Sequence, residues 1–191
     1  TGKGNDQVRF ELTFQTLAPE MKIIAPVREW DMKSRSDEID YAKAHGIPID
    51  VTKQNPYSID RNLWGTCIEC GILEDPWVAP PESGFCLTVP LDRTPARPTD
   101  IVISFEHGVP VRLNGKHTGI VKLVEKLNKL AGKNGIGRTD LVEDRLVGIK
   151  SREVYEAPAA TVLHRALREI EALVLDRYTR QWKEKTSMEY A

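Results

Sequence analysis

The chain carries almost no surplus of either charge: 27 Lys and Arg stand against 28 Asp and Glu in 191 residues, a formal net charge of -1 at pH 7. Without a global positive field to hold a polyanion, nucleic acid and anionic membrane surfaces are excluded as first partners. Long apolar runs are also missing, since no stretch approaches the ~18 residues that a bilayer crossing requires. There is no signal-peptide pattern and no Asn-x-Ser/Thr acceptor. Cysteine is scarce and odd in number, at three, which points to a reducing compartment and a cytoplasmic protein without a disulfide framework. No repeat at a period of roughly 20 to 50 residues and no low-complexity tract is present. An initiator Met is absent as well. The chain opens inside the Gly-rich stretch Thr1-Gly2-Lys3-Gly4-Asn5-Asp6 and is expected to be a piece of a longer protein. Its length and its 40% hydrophobic content suffice to bury a core without metal or disulfide.

What is there reads as mixed α and β. Asn5 or Asp6 can cap a helix through Leu17, with Phe10, Phe14 and Leu17 at i, i+4 and i+7 and Pro19 beyond its end. Met21 to Val27 reads as a short strand. Ser34-Arg35-Ser36-Asp37 fits a capping box for a helix carrying Ile39 and Ala42 and stopped by Gly46 and Pro48, and Ile47 to Val51 reads as a further strand. That alternation predicts part of a parallel α/β sheet whose leading strand is missing, with a boundary near residue 52. From Thr52 to Pro98 the chain is rich in Pro, Gly, Asp and Trp, which predicts ordered irregular structure with short strands such as Gly84 to Val89. Ile101 to Leu113 predicts a hairpin unit, with Pro110 at an edge or turn and Asn114-Gly115 as a turn pair. A helix is expected from Thr118 to Ala131 with Gly132 as its stop, then two short strands within Leu141 to Tyr155. A single long helix is expected from Pro158 past Trp182, with Leu163, Leu167, Ile170 and Val174 on one face. The second part is therefore α+β with an antiparallel sheet.

The densest chemical signal is the opening stretch. Its glycines permit close backbone approach, and the helix after them offers free amides and a positive dipole end to a carboxylate or phosphate. Asp6 and Arg9 add one charge of each sign a turn apart, which suits a ligand bearing both an amine and a carboxylate. The same pattern also fits a plain Gly-rich turn before a capped helix with surface charges. It matches neither G-x-G-x-x-G nor a Walker A loop. Cys67-x-x-Cys70 invites a redox or metal reading, but Cys86 gives no second pair and no histidine stands at ligand spacing. His45, His107, His117 and His164 are scattered, so structural roles are expected for them. Trp30, Trp64, Trp77 and Trp182 are expected in core or interface packing.

Thr1-Gly2-Lys3-Gly4-Asn5-Asp6-Gln7-Val8-Arg9-Phe10-Glu11 resembles the signature of the argininosuccinate synthase family. Further blocks agree in the same order: Lys22 to Pro26, Gly46 to Ile49, Asn55 to Ser58, Gly71 to Glu74, Gly135 to Arg138 and Val142 to Arg152. The resemblance covers nearly the whole chain. It implies a ligase that joins citrulline and aspartate with ATP and Mg²⁺, releasing AMP and pyrophosphate, in arginine biosynthesis and the urea cycle. In that scheme the ureido oxygen of citrulline attacks the α-phosphorus, and the amine of aspartate then displaces AMP. The resemblance implies aspartate contacts from Thr1, Asn5 and Asp6, and citrulline contacts from Asn5, Arg9, Ser58, Cys67, Glu143 and Tyr155. It places Gly2, Lys3 and Gly4 near the nucleotide phosphates.

The fold it implies is an incomplete adenine nucleotide α-hydrolase-like segment over residues 1–52, followed by a synthetase domain over 53–191 in a homotetramer. Two positions depart from the family. Cys67 stands where a serine is usual, and Asp144 where an asparagine is more common; a thiol is the weaker hydrogen-bond partner. The family's Ser-Gly-Gly-x-Asp-Ser/Thr-Ser pyrophosphatase loop does not occur in this sequence. The chain alone is therefore expected to hold amino-acid contacts without completing the reaction. The other reading is a non-catalytic amino-acid-binding or oligomerisation module.

Overall fold

The computed structural model describes residues 5–32, 35–49, 57–144, 148 and 150–190. Two helices, α1 (Asn5–Leu17) and α2 (Arg35–Ala44), occupy the N-terminal part. Acidic Asp37 and Glu38 favour the first turn of α2, where the helix dipole is positive, and Ile39 and Ala42 are its buried residues, as their spacing predicts. The proposed cap Ser34 lies outside the described residues. Met21 to Val27 does not form the expected strand: Pro26–Arg28 is a single turn of 3₁₀ helix, and Met21 and Ile24 are exposed. The described backbone partners here are local, Met21 N–H to the Ala18 carbonyl and Arg28 N–H to the Ala25 carbonyl, as in turns rather than a strand ladder. Residues 47–49 are likewise not strand, and Asp50 and Val51 lie outside the described residues.

Further on, β1 (Ser58–Arg61), β2 (Thr66–Glu69), β6 (Arg138–Asp144) and β7 (Lys150–Glu156) form one sheet in the order β1-β2-β7-β6. Between β1 and β2, Asn62 accepts the amides of Trp64 and Gly65 on its side-chain oxygen, which closes the turn. The second sheet is antiparallel, in the order β3 (Ile103–Glu106), β4 (Val109–Leu113) and β5 (Lys116–His117). Its two turns, His107-Gly108 and Asn114-Gly115, have positive φ at both residues, the hand that matches strand twist. Pro110 sits in the middle strand rather than an edge. It is accommodated because β5 pairs only with Arg112 and Leu113, and because the β3 register shifts between Ser104 and Phe105, opposite Pro110.

Gly84 to Val89 is not a strand either. Its backbone is taken up by a buried carboxylate: Glu156 accepts the amides of Cys86 at 2.7 Å, Leu87 at 3.0 Å and Thr88 at 2.8 Å, together with the Thr88 hydroxyl at 2.6 Å. Burial alone would raise the Glu156 pKa, but these donors more than offset it and hold the group below the usual carboxylate range. Arg138 completes the clamp, donating from Nε to the Thr88 hydroxyl at 2.7 Å and lying 3.7 Å over the Phe85 ring.

Helix α3 (Ile120–Lys133) buries Leu123, Val124, Leu127 and Ala131. Leu123, Val124 and Leu127 pack with Leu113, Ala159 and Leu163 as the main hydrophobic cluster, while Ile120, expected on that face, is exposed. Gly132 does not stop α3 but lies inside it, because a Cβ there would come within 2.1 Å of the Leu87 carbonyl oxygen. The long C-terminal helix is two helices, α4 (Pro158–Val174) and α5 (Arg177–Tyr190). Leu175 is extended, and Asp176 accepts the amides of Tyr178 and Thr179 as the cap of a new helix. The pairs Arg168–Glu184 and Glu171–Lys183 link the two helices. All four tryptophans are exposed, from 45% at Trp64 to 94% at Trp77, so none packs in the core.

The chain divides into two compact units. One comprises Thr1–Ile59, Cys67–Gly84 and Asp140–Val154; the other comprises Asp60–Thr66, Phe85–Thr139 and Tyr155–Ala191.

Candidate functional site

Strand alternation sorts the polar side chains of the first unit. On β2, Thr66 and Ile68 are buried, so Cys67 and Glu69 lie on the opposite face, both half-buried. On β7, Arg152 pairs with Asp140 of β6 through Nε at 2.8 Å and Nη2 at 2.7 Å, while its Nη1 donates to the Val78 carbonyl at 2.7 Å. This bidentate pair fixes the register of β6 against β7, and the Arg152 hydrogen bond holds the Asp140 carboxyl below its ordinary range. Ser151 and Glu153, one residue either side of Arg152, face the other way. Glu143, an odd number of residues beyond Asp140, shares that opposite face.

Glu153 is the residue that the sequence reading missed. It is only 3% exposed, and it accepts a hydrogen bond from the Ser151 hydroxyl at 3.0 Å and a long one from the Cys67 thiol at 3.9 Å. The available signal was its position two residues before Tyr155, on the same face of a strand already assigned to the site. A buried carboxylate is costly unless it is hydrogen-bonded, so its presence beside Cys67 and on the Glu143 face marks this surface as polar by construction.

The other expected residues fall as follows. Thr1, Gly2, Lys3 and Gly4 lie outside the described residues, as do the side chains of Asn5 and Asp6. Arg9 is exposed on α1, where Gln7 is buried and donates to Glu11 at 2.6 Å, and Arg28 pairs with the same Glu11. Ser58 is half-buried at the start of β1. Arg9, Ser58, Cys67 and Glu143 all belong to the first unit, whereas Tyr155, half-buried on β7, belongs to the second. Direct contact is recorded between Cys67 and Glu153. No group of three or more His, Cys, Asp or Glu suited to a metal occurs among the described residues.

A half-buried polar strand face, held in register by an arginine–carboxylate pair and preceded in sequence by a helix bearing an exposed arginine, suits recognition of a small polar ligand. Comparison with known proteins gives the family. Residues 57–191 match the family model described as "Arginosuccinate synthase C-terminal domain", and residues 1–48 match the "Arginosuccinate synthase N-terminal HUP domain". The chain belongs to the argininosuccinate synthase family. It is 54% identical over all 191 residues to the argininosuccinate synthase of Chlorobium luteolum and 56% identical to that of Chlorobium phaeobacteroides strain DSM 266. The Pelodictyon phaeoclathratiforme enzyme is also 54% identical over the full chain. In each case the match spans 48% of the relative, so the chain covers about half the length of these argininosuccinate synthases. Within the family the fold is the start of a HUP domain followed by a C-terminal domain with an antiparallel sheet and helices.

Proposed function

We propose that this chain carries the amino-acid-binding part of an ATP-dependent argininosuccinate synthase. The whole synthase joins citrulline to aspartate with release of AMP and pyrophosphate, in cytoplasmic arginine biosynthesis and the urea cycle, as a homotetramer, and the 191 residues alone do not complete the reaction. The division is residues 1–52 as part of the nucleotide-binding domain and 53–191 as the synthetase domain. What carries the reading is the polar strand face of Cys67, Glu143, Ser151 and Glu153 in a chain of this family. Arg9 pairs with the citrulline carboxylate. Glu143 accepts from its nitrogen donors, and Ser58, Cys67 and Tyr155 complete the polar surround, with Asn5 shared between the two amino acids. Thr1 and Asp6 hold aspartate, and the backbone of Gly2, Lys3 and Gly4 lies by the nucleotide phosphates.

These residues bind and orient. A site that hydrogen-bonds a ureido group discriminates against ornithine, which leaves those groups unpaired. With citrulline held, its ureido oxygen attacks the α-phosphorus and pyrophosphate leaves; the aspartate amine then attacks the ureido carbon and AMP leaves. Mg²⁺ accompanies ATP, and no described residue is assigned to it.

The test exchanges residues 1–191 into a whole Chlorobium synthase in place of the matching half and follows pyrophosphate release. Continued release over many turnovers that requires both citrulline and aspartate is expected, because citrulline alone releases at most one pyrophosphate per site. Arg9→Ala should raise the citrulline KM roughly tenfold to a hundredfold, the worth of a charge-assisted hydrogen bond. A folded exchange protein that releases no pyrophosphate overturns the proposal in favour of a non-catalytic binding module.

A further inference from the structure

Glu153 has no part in the chemistry outlined above, yet it is a buried carboxylate in contact with a proposed citrulline contact. In the contact between them the Cys67 thiol is the donor and Glu153 Oε2 the acceptor, so the thiol hydrogen points at Glu153. The Ser151 hydroxyl, on the same strand and the same face, donates to the other carboxylate oxygen and fixes its orientation. With its hydrogen directed at Glu153, the Cys67 sulfur turns its lone pairs toward a ligand.

Resting on the reading that Cys67 lies against citrulline, we propose that Glu153 is a positioning residue for the citrulline site: it holds the Cys67 thiol hydrogen so that the sulfur faces the ureido N–H groups as an acceptor. The substrate class this selects is an amino acid whose side chain presents N–H donors at that point. A side chain presenting a carbonyl or carboxylate oxygen there meets a thiol whose hydrogen is turned away toward Glu153. The pairing also explains how a weakly hydrogen-bonding thiol can serve in place of a hydroxyl, because the carboxylate removes its rotational freedom.

The same contact sets the reactivity of the thiol. Cysteine reacts as the thiolate, and a buried carboxylate at this distance opposes a second negative charge beside it. Alkylation of the 191-residue chain with iodoacetamide, read separately at Cys67 and Cys70 by mass spectrometry, tests the coupling. Glu153→Gln keeps the shape and removes the charge, so the Cys67 rate should rise about tenfold, the effect of one pKa unit on the thiolate fraction, with Cys70 unchanged. Ser151→Ala should raise it less. An unchanged Cys67 rate overturns the proposal, as does an equal rise at both cysteines, which reports only a loosened fold.

In the whole synthase carrying residues 1–191, Glu153→Gln should raise the citrulline KM several-fold and leave kcat and the aspartate KM in place, with Glu153→Asp restoring part of the loss. Continued ligation with an unmoved citrulline KM overturns the positioning role and leaves the proposed function standing. A parent exchange protein with no ligation overturns both, whatever the alkylation rates show.

Discussion

At the scale of single residues, the Glu156 carboxylate has the largest energetic consequence. It is fully buried, and it accepts from three consecutive backbone amides and the Thr88 hydroxyl, which Arg138 also contacts. Glu156→Ala should lower the unfolding free energy by about 3 kcal/mol, because buried donors are left unpaired rather than merely released to water. Urea denaturation measures the loss, and Thr88→Ala should cost less because it removes one donor only. Since the folded pKa lies below the unfolded value, the charged form contributes its full stability above about pH 4.3 and loses it as pH falls through the depressed folded pKa. The difference in urea midpoint between the parent and Glu156→Gln should therefore shrink on acidification below that point. Cys86 reads the same clamp from outside. It is exposed, yet burial of its thiol, with the Glu156 hydrogen bond and charge, raises its pKa. Alkylation at Cys86 should be slow at pH 8 and should speed up in Glu156→Gln. None of this was legible in the sequence, where Glu156 and Gly84 to Val89 are separated by some seventy positions, about the offset that the 70-residue Cys86–Glu156 contact spans.

At the scale of elements, spacing was a good guide wherever a helix or hairpin closes its own hydrogen bonds, and a poor one where partners come from afar. α2 and the β3-β4-β5 turns follow from apolar spacing and turn chemistry that the local sequence contains, and α1 forms over the expected residues although Phe10, Phe14 and Leu17, its expected apolar face, are exposed. The expected strand at Met21 to Val27 depended on neighbours, and the continuous C-terminal helix on ignoring Asp176. That residue offers the backbone a cap in place of another turn, so the apolar period runs through a break. Asp176→Ala should speed amide hydrogen exchange at Tyr178 and Thr179 while leaving the middle of α4 unchanged. Gly132 shows two local terms in competition. Alanine is favoured over glycine inside a helix by about 1 kcal/mol. Here its Cβ would meet a backbone carbonyl oxygen at 2.1 Å, which only a shift of the 87 loop or of α3 can relieve. Overpacking of that kind costs about 1–3 kcal/mol, so Gly132→Ala should be net destabilising in thermal melts despite its helix propensity.

At the scale of the whole molecule, the site residues are proposed from the family blocks in the sequence, whereas the strand surface on which Cys67 and Glu143 sit is visible only in the fold. Cys67 and Glu143 are far apart in sequence, and only the bidentate Arg152–Asp140 pair reveals that Glu143 and Glu153 share a face. Burial is unevenly distributed between the described parts. Leu123 and Leu127 of α3 are fully enclosed with Ala159 of α4, while Phe10, Leu17, Met21, Ile24 and Trp30 are exposed. Regions with few buried apolar side chains open at lower free energy than those with a dense core. Amides of α1 and α2 should therefore exchange with solvent before those of α3 and α4. Leu127→Ala removes a fully buried side chain and should cost about 2–5 kcal/mol, depending on how far the cavity collapses. Read by hydrogen exchange, that loss should appear as faster exchange in α3 and α4, with rates in α1 and α2 nearly unchanged, because those helices already exchange through openings that do not involve this core. Equal acceleration in all four helices would instead mean that the chain opens as one cooperative unit.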